Sequence, residues 1–446
     1  MNAAYTPLEP GTEASLRDIG SADILVGIPS YNNAATVGHV VRAVAAGLAK
    51  YFPQERAVLV NSDGGSHDDT SRIVARTAVD YQQLLIADRQ SVLHRIVTPY
   101  RGIPGKGSAF RTIFEIARRL RAKACAVVDA DVRSISPEWI EMLLRPVLDE
   151  GYDYVAPFYL RHKYDGTITN SLAYPLTRAL YGQRIRQPIG GEFGFSGGLA
   201  AHYVEQQVWD SEVARFGIDI WMTTEAVANG ARVCQSFLGA KIHDPKDPSS
   251  DLSAMLRQVV GSLFASMERH ADAWSHIEES SPVPLFGFPY EVGVEPVRVD
   301  VNAMVSHFRQ GLRDLRPIWS RILGTTTLEE LSDLNRDESD CRLPDDVWSR
   351  IVFDAASAYH HRILPHEHLL KSLTPLYLGR TAFFVLASQG LTSAEAEQMI
   401  EHLCVVFERQ KPYLVARWEA AQHRPVDRPS MSLTVPDAGG CDDRIY

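Results

Sequence analysis

The sequence predicts an α/β fold, a mostly parallel sheet followed by a helical lobe. Two observations predict it. Between Ile24 and Val132, short apolar runs alternate with helical patterns, and the loops between them are rich in Gly, Asp and Asn. From about residue 250 the strand-like runs stop, and apolar residues recur at three- and four-residue spacing. A chain of 446 residues is long enough for a large core and more than one domain.

Taken in order, ILVGI (24–28) is an apolar run ended by Pro29-Ser30-Tyr31-Asn32, and VGHVVRAVAAGLA continues as a helix. AVLVN is the next strand, and SDGGSHDDTSRIVART is its loop and helix. A weaker apolar segment, His94 to Thr98, precedes the stretch PYRGIPGKGSAF. The helix SAFRTIFEIARRLRA and the strand ACAVVDAD follow. Strands alternating with helices predict a sheet covered on both faces, with functional loops at the carboxyl ends of its strands. DLSAMLRQVVGSLFASMERHADAW, VNAMVSHFRQGLRDLRPIWSRIL, DDVWSRIVFDAASAYHHRI and SAEAEQMIEHLCVVFERQKPYLVARWEA predict the helices of the last third. The expected division is an arm (1–22), a sheet domain (23–260), a helical lobe (261–423) and a loosely ordered tail (424–446) rich in Pro, Asp, Gly and Ser.

A net charge of −10 offers no basic surface, which excludes nucleic acid as the expected partner. No apolar stretch approaches the roughly 20 residues of a spanning helix, so no membrane partner is expected. The start, MNAAYTPLEPGTEAS, lacks the basic and apolar segments of a secretory signal, and the expected location is cytoplasmic. Cys125, Cys234, Cys341, Cys404 and Cys441 are odd in number and never form CxxC, which argues against a disulfide framework or a zinc cluster. All but Cys441 are expected to be buried.

The chemistry concentrates in the loops. VVDADV places Asp129 and Asp131 where a hydrophobic strand ends, and hard oxygen ligands there suit Mg²⁺ or Mn²⁺ carrying a diphosphate. A plain turn is the alternative, since Asp favours turns. In SDGGSHDDT, Asp63 can accept hydrogen bonds from a base or sugar, while Asp68 or Asp69 caps the helix. PGKG lies between the two acidic loops; its glycines permit close backbone approach and Lys106 supplies a positive charge. It is not GxxxxGK[ST], which disfavours a P-loop NTPase.

The succession IPSYNNAATVGHVV, SDGGSHDDT, PGKG and DAD resembles nucleotide-sugar-dependent glycosyltransferases of the GT-A, Rossmann-like fold. QPIGGEF, FGIDI and LGAKIHDPKDPSSDLSAMLRQV narrow the resemblance to the glucosyl-3-phosphoglycerate and mannosylglycerate synthases, retaining enzymes that make glycerate-based compatible solutes. The resemblance runs from about Ile24 to Val259.

It implies that Pro29 and Asp63 border the nucleoside, Lys106 meets the diphosphate, Asp129 touches the ribose, and Asp131 and His243 hold the divalent ion. Tyr31, Asn32, Gly105, Ala130 and Gln187 are implied at the donor, and Ile189 and Gly190 at the acceptor. Glu192 and Asp219 are implied to face the donor sugar and acceptor; Glu192 could instead pair with Arg184 or Arg186. Arg161 and Thr169 correspond to the residues that receive the carboxylate and hydroxyls of glycerate. The phosphoglycerate enzymes have an arginine where this chain has Thr167, which favours D-glycerate over 3-phosphoglycerate unless Lys163 or His162 compensates. The expected reaction moves a hexose, glucose ahead of mannose, from a UDP-, GDP- or ADP-sugar, with Asp131, Lys106, Asp219 and Glu192 at the reacting centre. A homodimer is implied by the resemblance alone. The alternatives are another acceptor, or a nucleotide-sugar-binding regulator without turnover. The histidines of YHHRILPHEHLL read as a loop between two helices rather than a second metal site.

Overall fold

A computed structural model of the chain describes residues 8–85, 93–243, 252–290, 293–334 and 342–420. The tail expected at 424–446, with Cys441, and also Cys341, lie outside the described residues. Within the expected arm, Pro10–Ile19 form helix α1, docked through Thr12 Oγ1, which donates to Thr98 Oγ1 at 2.9 Å. Then come β1 (Ile24–Ser30), α2 (Val37–Tyr51), β2 (Ala57–Asp63), α3 (Thr70–Leu85), β3 (Leu93–Pro99), α4 (Lys106–Leu120), β4 (Ala124–Val127), α5 (Pro137–Leu148) and β5 (Tyr154–Leu160). A single π-helical turn (Thr169–Ala173) leads into α6 (Tyr174–Tyr181). β6 (Gln183–Arg184), β7 (Phe193–Ser196), α7 (Gly197–Glu205), α8 (Ile218–Ala228) and β8 (Val233–Ala240) complete the central part.

The sheet has the order β10–β8–β5–β7–β4–β1–β2–β3, where β10 is Leu285–Phe286, and only β7 runs antiparallel to its neighbours. β1 and β2 are buried along their whole length, because helices cover both faces; this is why ILVGI and AVLVN read as continuous apolar runs rather than alternating ones. α2 and α5 supply the core on one face, and α4, α7 and α8 supply it on the other. The chain extends the sheet from β1 to β2 and β3 on one side and to β4 on the other. That reversal opens a crevice at the carboxyl ends of β1 and β4, where Pro29 and Asp129 sit.

α9 (Ser253–Arg269), α10 (Ala271–Trp274) and the short β9 (Ser281–Pro282) precede β10. The lobe follows as α11 (Val301–Asp314), α12 (Arg316–Ile322), α13 (Thr325–Leu334), α14 (Asp345–His360), α15 (His366–Ser372), α16 (Thr374–Ser388) and α17 (Ser393–Ala420). Residue 260 falls inside α9, and one hydrophobic core joins Ile168, Leu172 and Phe264 to Trp319, Trp348 and Trp418. Helical spacing in the sequence locates α9 without revealing that its apolar face belongs to the lobe's core. In the histidine-rich segment, His360 stacks on Trp418 and His366 on Tyr359, with a break before α15. Cys125, Cys234 and Cys404 are buried. Among the described residues no helix is long and apolar enough to cross a membrane.

Candidate active site

A cavity of about 850 Å³ occupies the crevice. Of the residues implied by the resemblance, Pro29, Tyr31, Gly105, Lys106, Asp129, Ala130 and Asp131 line it. So do Arg161, Thr169, Ile189, Gly190, Asp219 and His243. They come from elements spread over more than two hundred residues, and the fold brings them together.

Lys106 opens α4, and its position depends on its glycine neighbours. A Cβ on Gly107 would stand 1.8 Å from Val213 O, and one on Gly105 2.6 Å from Ala214 O. Gly107 N also donates to Arg215 O at 3.1 Å. The close approach expected of PGKG toward a ligand is thus made to the chain's own 213–215 segment, and its result is to aim Lys106 into the cavity. Lys106 Nζ lies 2.8 Å from Asp129 Oδ1 and 3.0 Å from Asp219 Oδ2. Burial disfavours the ammonium, but the two carboxylates outweigh it and raise the Lys106 pKa, so it stays protonated. Burial raises the Asp219 pKa against the pull of Lys106. Asp219 Oδ1 is buried without a hydrogen-bond partner, so this carboxylate keeps unused acceptor capacity.

Behind this triad lies a residue that sequence reading missed. Lys241 Nζ stands 2.9 Å from Glu192 Oε1 and 3.4 Å from Asp129 Oδ2, and donates to Gly190 O at 2.7 Å. Tyr159 Oη donates to Glu192 Oε2 at 2.5 Å. Gly191 has φ 96°, and a Cβ there would meet Asp129 Oδ2 at 2.2 Å, so only glycine lets this backbone pass so near the carboxylate. Glu192 itself is fully buried and absent from the cavity wall. It departs from the expectation in that it does not reach the cavity surface, because Lys241 and Tyr159 occupy its oxygens. Its imagined partners are engaged elsewhere: Arg184 with Ser280 and Arg186 with Glu397. The signal for Lys241 was its position two residues before His243 at the end of a strand.

Asp131 and His243 reach the cavity from segments hydrogen-bonded to one another: Arg133 N donates to Ile242 O at 2.8 Å, and Ile242 N to Ser134 Oγ at 2.9 Å. His243 Nε2 lies 3.3 Å from Asp165 Oδ2. Burial would raise the Asp165 pKa, but the hydrogen bond from His243 and the charges of Arg161 and Lys241 hold it below the usual carboxylate range. Among the described residues no group of three or more His, Cys, Asp and Glu is arranged to hold a metal. Asp131 and His243 both line the cavity, and a carboxylate and an imidazole are donor types that a divalent ion accepts beside diphosphate oxygens and water.

The nucleoside end departs from the expectation at three residues. Asp63 accepts from Ser30 Oγ, Gly65 N, Ser66 N and Ser66 Oγ at 2.7–3.0 Å, so in this structure its oxygens are taken up by the turn. Asn32, at φ 53°, accepts from His67 N at 2.9 Å and braces the same rim. Gln187 is buried and lies off the cavity wall. What the cavity presents there is Gly64, Gly65 and the rings of Tyr31, His67 and Tyr100. Asp68 accepts from Thr70 N at 3.0 Å at the start of α3, the capping role expected for it.

At the opposite end Arg161 packs over the Tyr159 ring at 4.8 Å, and its Nε is buried without a hydrogen-bond partner. Thr167 also lines the cavity, with its Oγ1 2.6 Å from Tyr377 Oη. Neither expected substitute for a phosphate-binding arginine is on the wall. Lys163 Nζ donates to Ser388 O and Leu391 O, each at 2.6 Å, and His162 stacks edge-on against Tyr164. Asp165, four residues after Arg161, was missed because nothing local marks it.

The sequence profile of the mannosylglycerate synthase GT domain matches residues 26–268, more than half of the chain. No curated protein matches significantly. Similar solved structures include glucosyl-3-phosphoglycerate synthase from Mycobacterium tuberculosis with Mn²⁺, UDP and glucosyl-3-phosphoglycerate; it is 22% identical, covers 58% of this chain and 86% of its own, and has a TM-score of 0.41. The same enzyme with Mn²⁺, UDP-glucose and glycerol 3-phosphate is 22% identical over 59% of this chain and 86% of its own, at a TM-score of 0.41. With phosphoglyceric acid alone it is 20% identical over 60% and 85%, at 0.42. With the profile spanning β1 to α9 and the crevice assembled from its motifs, the chain belongs to the mannosylglycerate synthase family of glycosyltransferases.

Proposed function

We infer that the protein moves a hexose, glucose ahead of mannose, from a nucleoside diphosphate sugar to D-glycerate, with retention at the anomeric carbon. The observation that carries the acceptor is the wall around Arg161. Arg161 lines the cavity beside Thr167 and Thr169, its Nη1 only loosely paired at 3.9 Å from Asp165 Oδ2, and Lys163 is turned away. A planar fork suits one carboxylate; a second, dianionic group would lack its own cation.

The rings of Tyr31, His67 and Tyr100 receive the base, Lys106 the diphosphate, and Asp219 Oδ1 a sugar hydroxyl. Asp131 and His243 would hold Mg²⁺ or Mn²⁺, which when bound neutralises charge on the departing diphosphate. Lys106 acts in the same sense, and its attraction grows as the glycosidic bond breaks. The acceptor hydroxyl approaches the face that the diphosphate leaves: its oxygen bonds to the anomeric carbon, the carbon–oxygen bond to phosphate breaks, and the proton passes to the phosphate oxygen.

UDP-, GDP- and ADP-sugars tested against glycerate and 3-phosphoglycerate, with Mg²⁺ or Mn²⁺, decide the reading by nucleoside diphosphate release and product NMR. Glycerate-dependent release with an α-linked product is expected. Release that ignores the acceptor would overturn the assignment, and preference for 3-phosphoglycerate would replace the acceptor.

A further inference from the structure

The acceptor wall is held from behind by the helical lobe. Thr167 and Thr169 lie in the stretch that runs from β5 into the π-helical turn, a part of the chain with no strand neighbour. Tyr377 of α16, 1% exposed, places its Oη 2.6 Å from Thr167 Oγ1. Trp348 of α14, equally buried, donates from Nε1 to Ser171 O at 2.6 Å, inside the π-helical turn. Glu397 of α17 binds Arg186 through both oxygens, at 2.5 and 2.8 Å, and Arg186 Nη2 donates onward to Asn170 Oδ1 at 3.0 Å. On the other side of Thr167, Lys163 is anchored to carbonyls at the end of α16.

These contacts come from three separate helices and converge on residues 163–171. π-Helical turns are uncommon and concentrate at functional sites, and this one stands where the side chains of the wall are set. A loop otherwise free to rearrange loses conformational entropy each time it binds a ligand, and holding it in place beforehand removes that loss.

We propose that the helical lobe sets acceptor specificity, with Tyr377, Trp348 and Glu397 as positioning residues that keep Arg161, Thr167 and Thr169 in one preformed arrangement for a carboxylate and its neighbouring hydroxyls. The proposal rests on the acceptor reading above. It gives the lobe a role in the reaction although none of these three side chains lines the cavity.

The test uses the full chain with Tyr377→Phe and Glu397→Gln. Loss of the buried Tyr377 hydrogen bond, or of the charge in the part-exposed Glu397–Arg186 pair, corresponds to about a five- to tenfold rise in acceptor KM in each variant. kcat and donor KM should stay within about twofold of wild type, and Glu397→Asp should recover part of the loss. Hydrogen–deuterium exchange should quicken in residues 163–171 and not in 124–132. Unchanged exchange and unchanged acceptor KM in both variants would overturn the proposal. Parallel rises in donor and acceptor KM with a lowered Tm would also overturn it, showing a general structural role. If wild type uses no glycerate-class carboxylate, the acceptor reading fails, and the exchange measurement still decides whether the lobe holds the loop.

Discussion

Lys106 Nζ stands 3.0 Å from Asp219 Oδ2, although 113 residues of chain separate them. The same nitrogen is 2.8 Å from Asp129 Oδ1, so one ammonium keeps two carboxylates together at the centre of the cavity. Lys106→Met should lower kcat at least about 100-fold, the scale seen when one preorganised electrostatic contact is removed. Asp219, already raised by burial, loses the charge that restrains it. The acid limb of the pH–rate profile should therefore move to higher pH, and a limb that stays in place would show that Asp219 does not titrate in the reaction.

Glu192 and Lys241 form a buried pair whose separate loss leaves a charge without its partner. Glu192→Gln or Lys241→Met alone should cost roughly 3–5 kcal/mol. The double variant should recover much of that, since neither charge is left uncompensated. Denaturant unfolding of all four proteins gives the coupling, and additive losses would mean that the pair does not act as a unit.

If Asp131 holds the ion as proposed, Asp131→Ala should reduce metal-dependent turnover by about a thousandfold or more. Calorimetry of nucleoside diphosphate binding with and without Mg²⁺ checks this directly. Wild type should bind tighter with the ion and the variant equally in both conditions. Full activity in the variant would remove Asp131 from the metal site.

Thr167→Arg should raise the ratio of kcat/KM for 3-phosphoglycerate over that for glycerate. The structure adds a cost: Thr167 is 4% exposed and bonded to Tyr377, so the larger side chain must displace its neighbours at about 1–3 kcal/mol. Acceptor kinetics and thermal unfolding measured together separate the two effects.

Lys411 lies in the lobe's interior, donating to Leu180 O at 3.1 Å and Ile277 O at 2.5 Å, and burial lowers its pKa to about 8. The unfolded chain titrates near 10.5, so between these values it binds more protons than the native protein does. Keeping the group charged when folded is therefore a penalty that is complete below pH 8 and fades as pH rises to 10.5. Relative to Lys411→Met, wild type should gain roughly 1–2 kcal/mol from pH 7 to pH 10.5, allowing for solvent screening. Parallel stability curves for the two proteins would contradict this.

Much of the fold was legible because its signals are local. β1 and β2 are apolar runs ended by turn residues, and α4 and α17 repeat their apolar residues at helical spacing. The motifs of the crevice were legible for a related reason: DAD, PGKG and KIHD stand at strand ends or helix starts, where the chain leaves the sheet. The sequence by itself thus determined the layered architecture, the loops that line the carboxyl-end crevice, and the family to which they belong. Only the tertiary structure decided which charges meet. It turned Glu192 inward onto Lys241, gave the oxygens of Asp63 to its own turn, brought Asp165 to His243, and set Tyr377 behind Thr167. Periodicity reports which face of an element is buried, whereas a side chain's partner depends on chain segments far away in sequence, and no spacing along one strand encodes that.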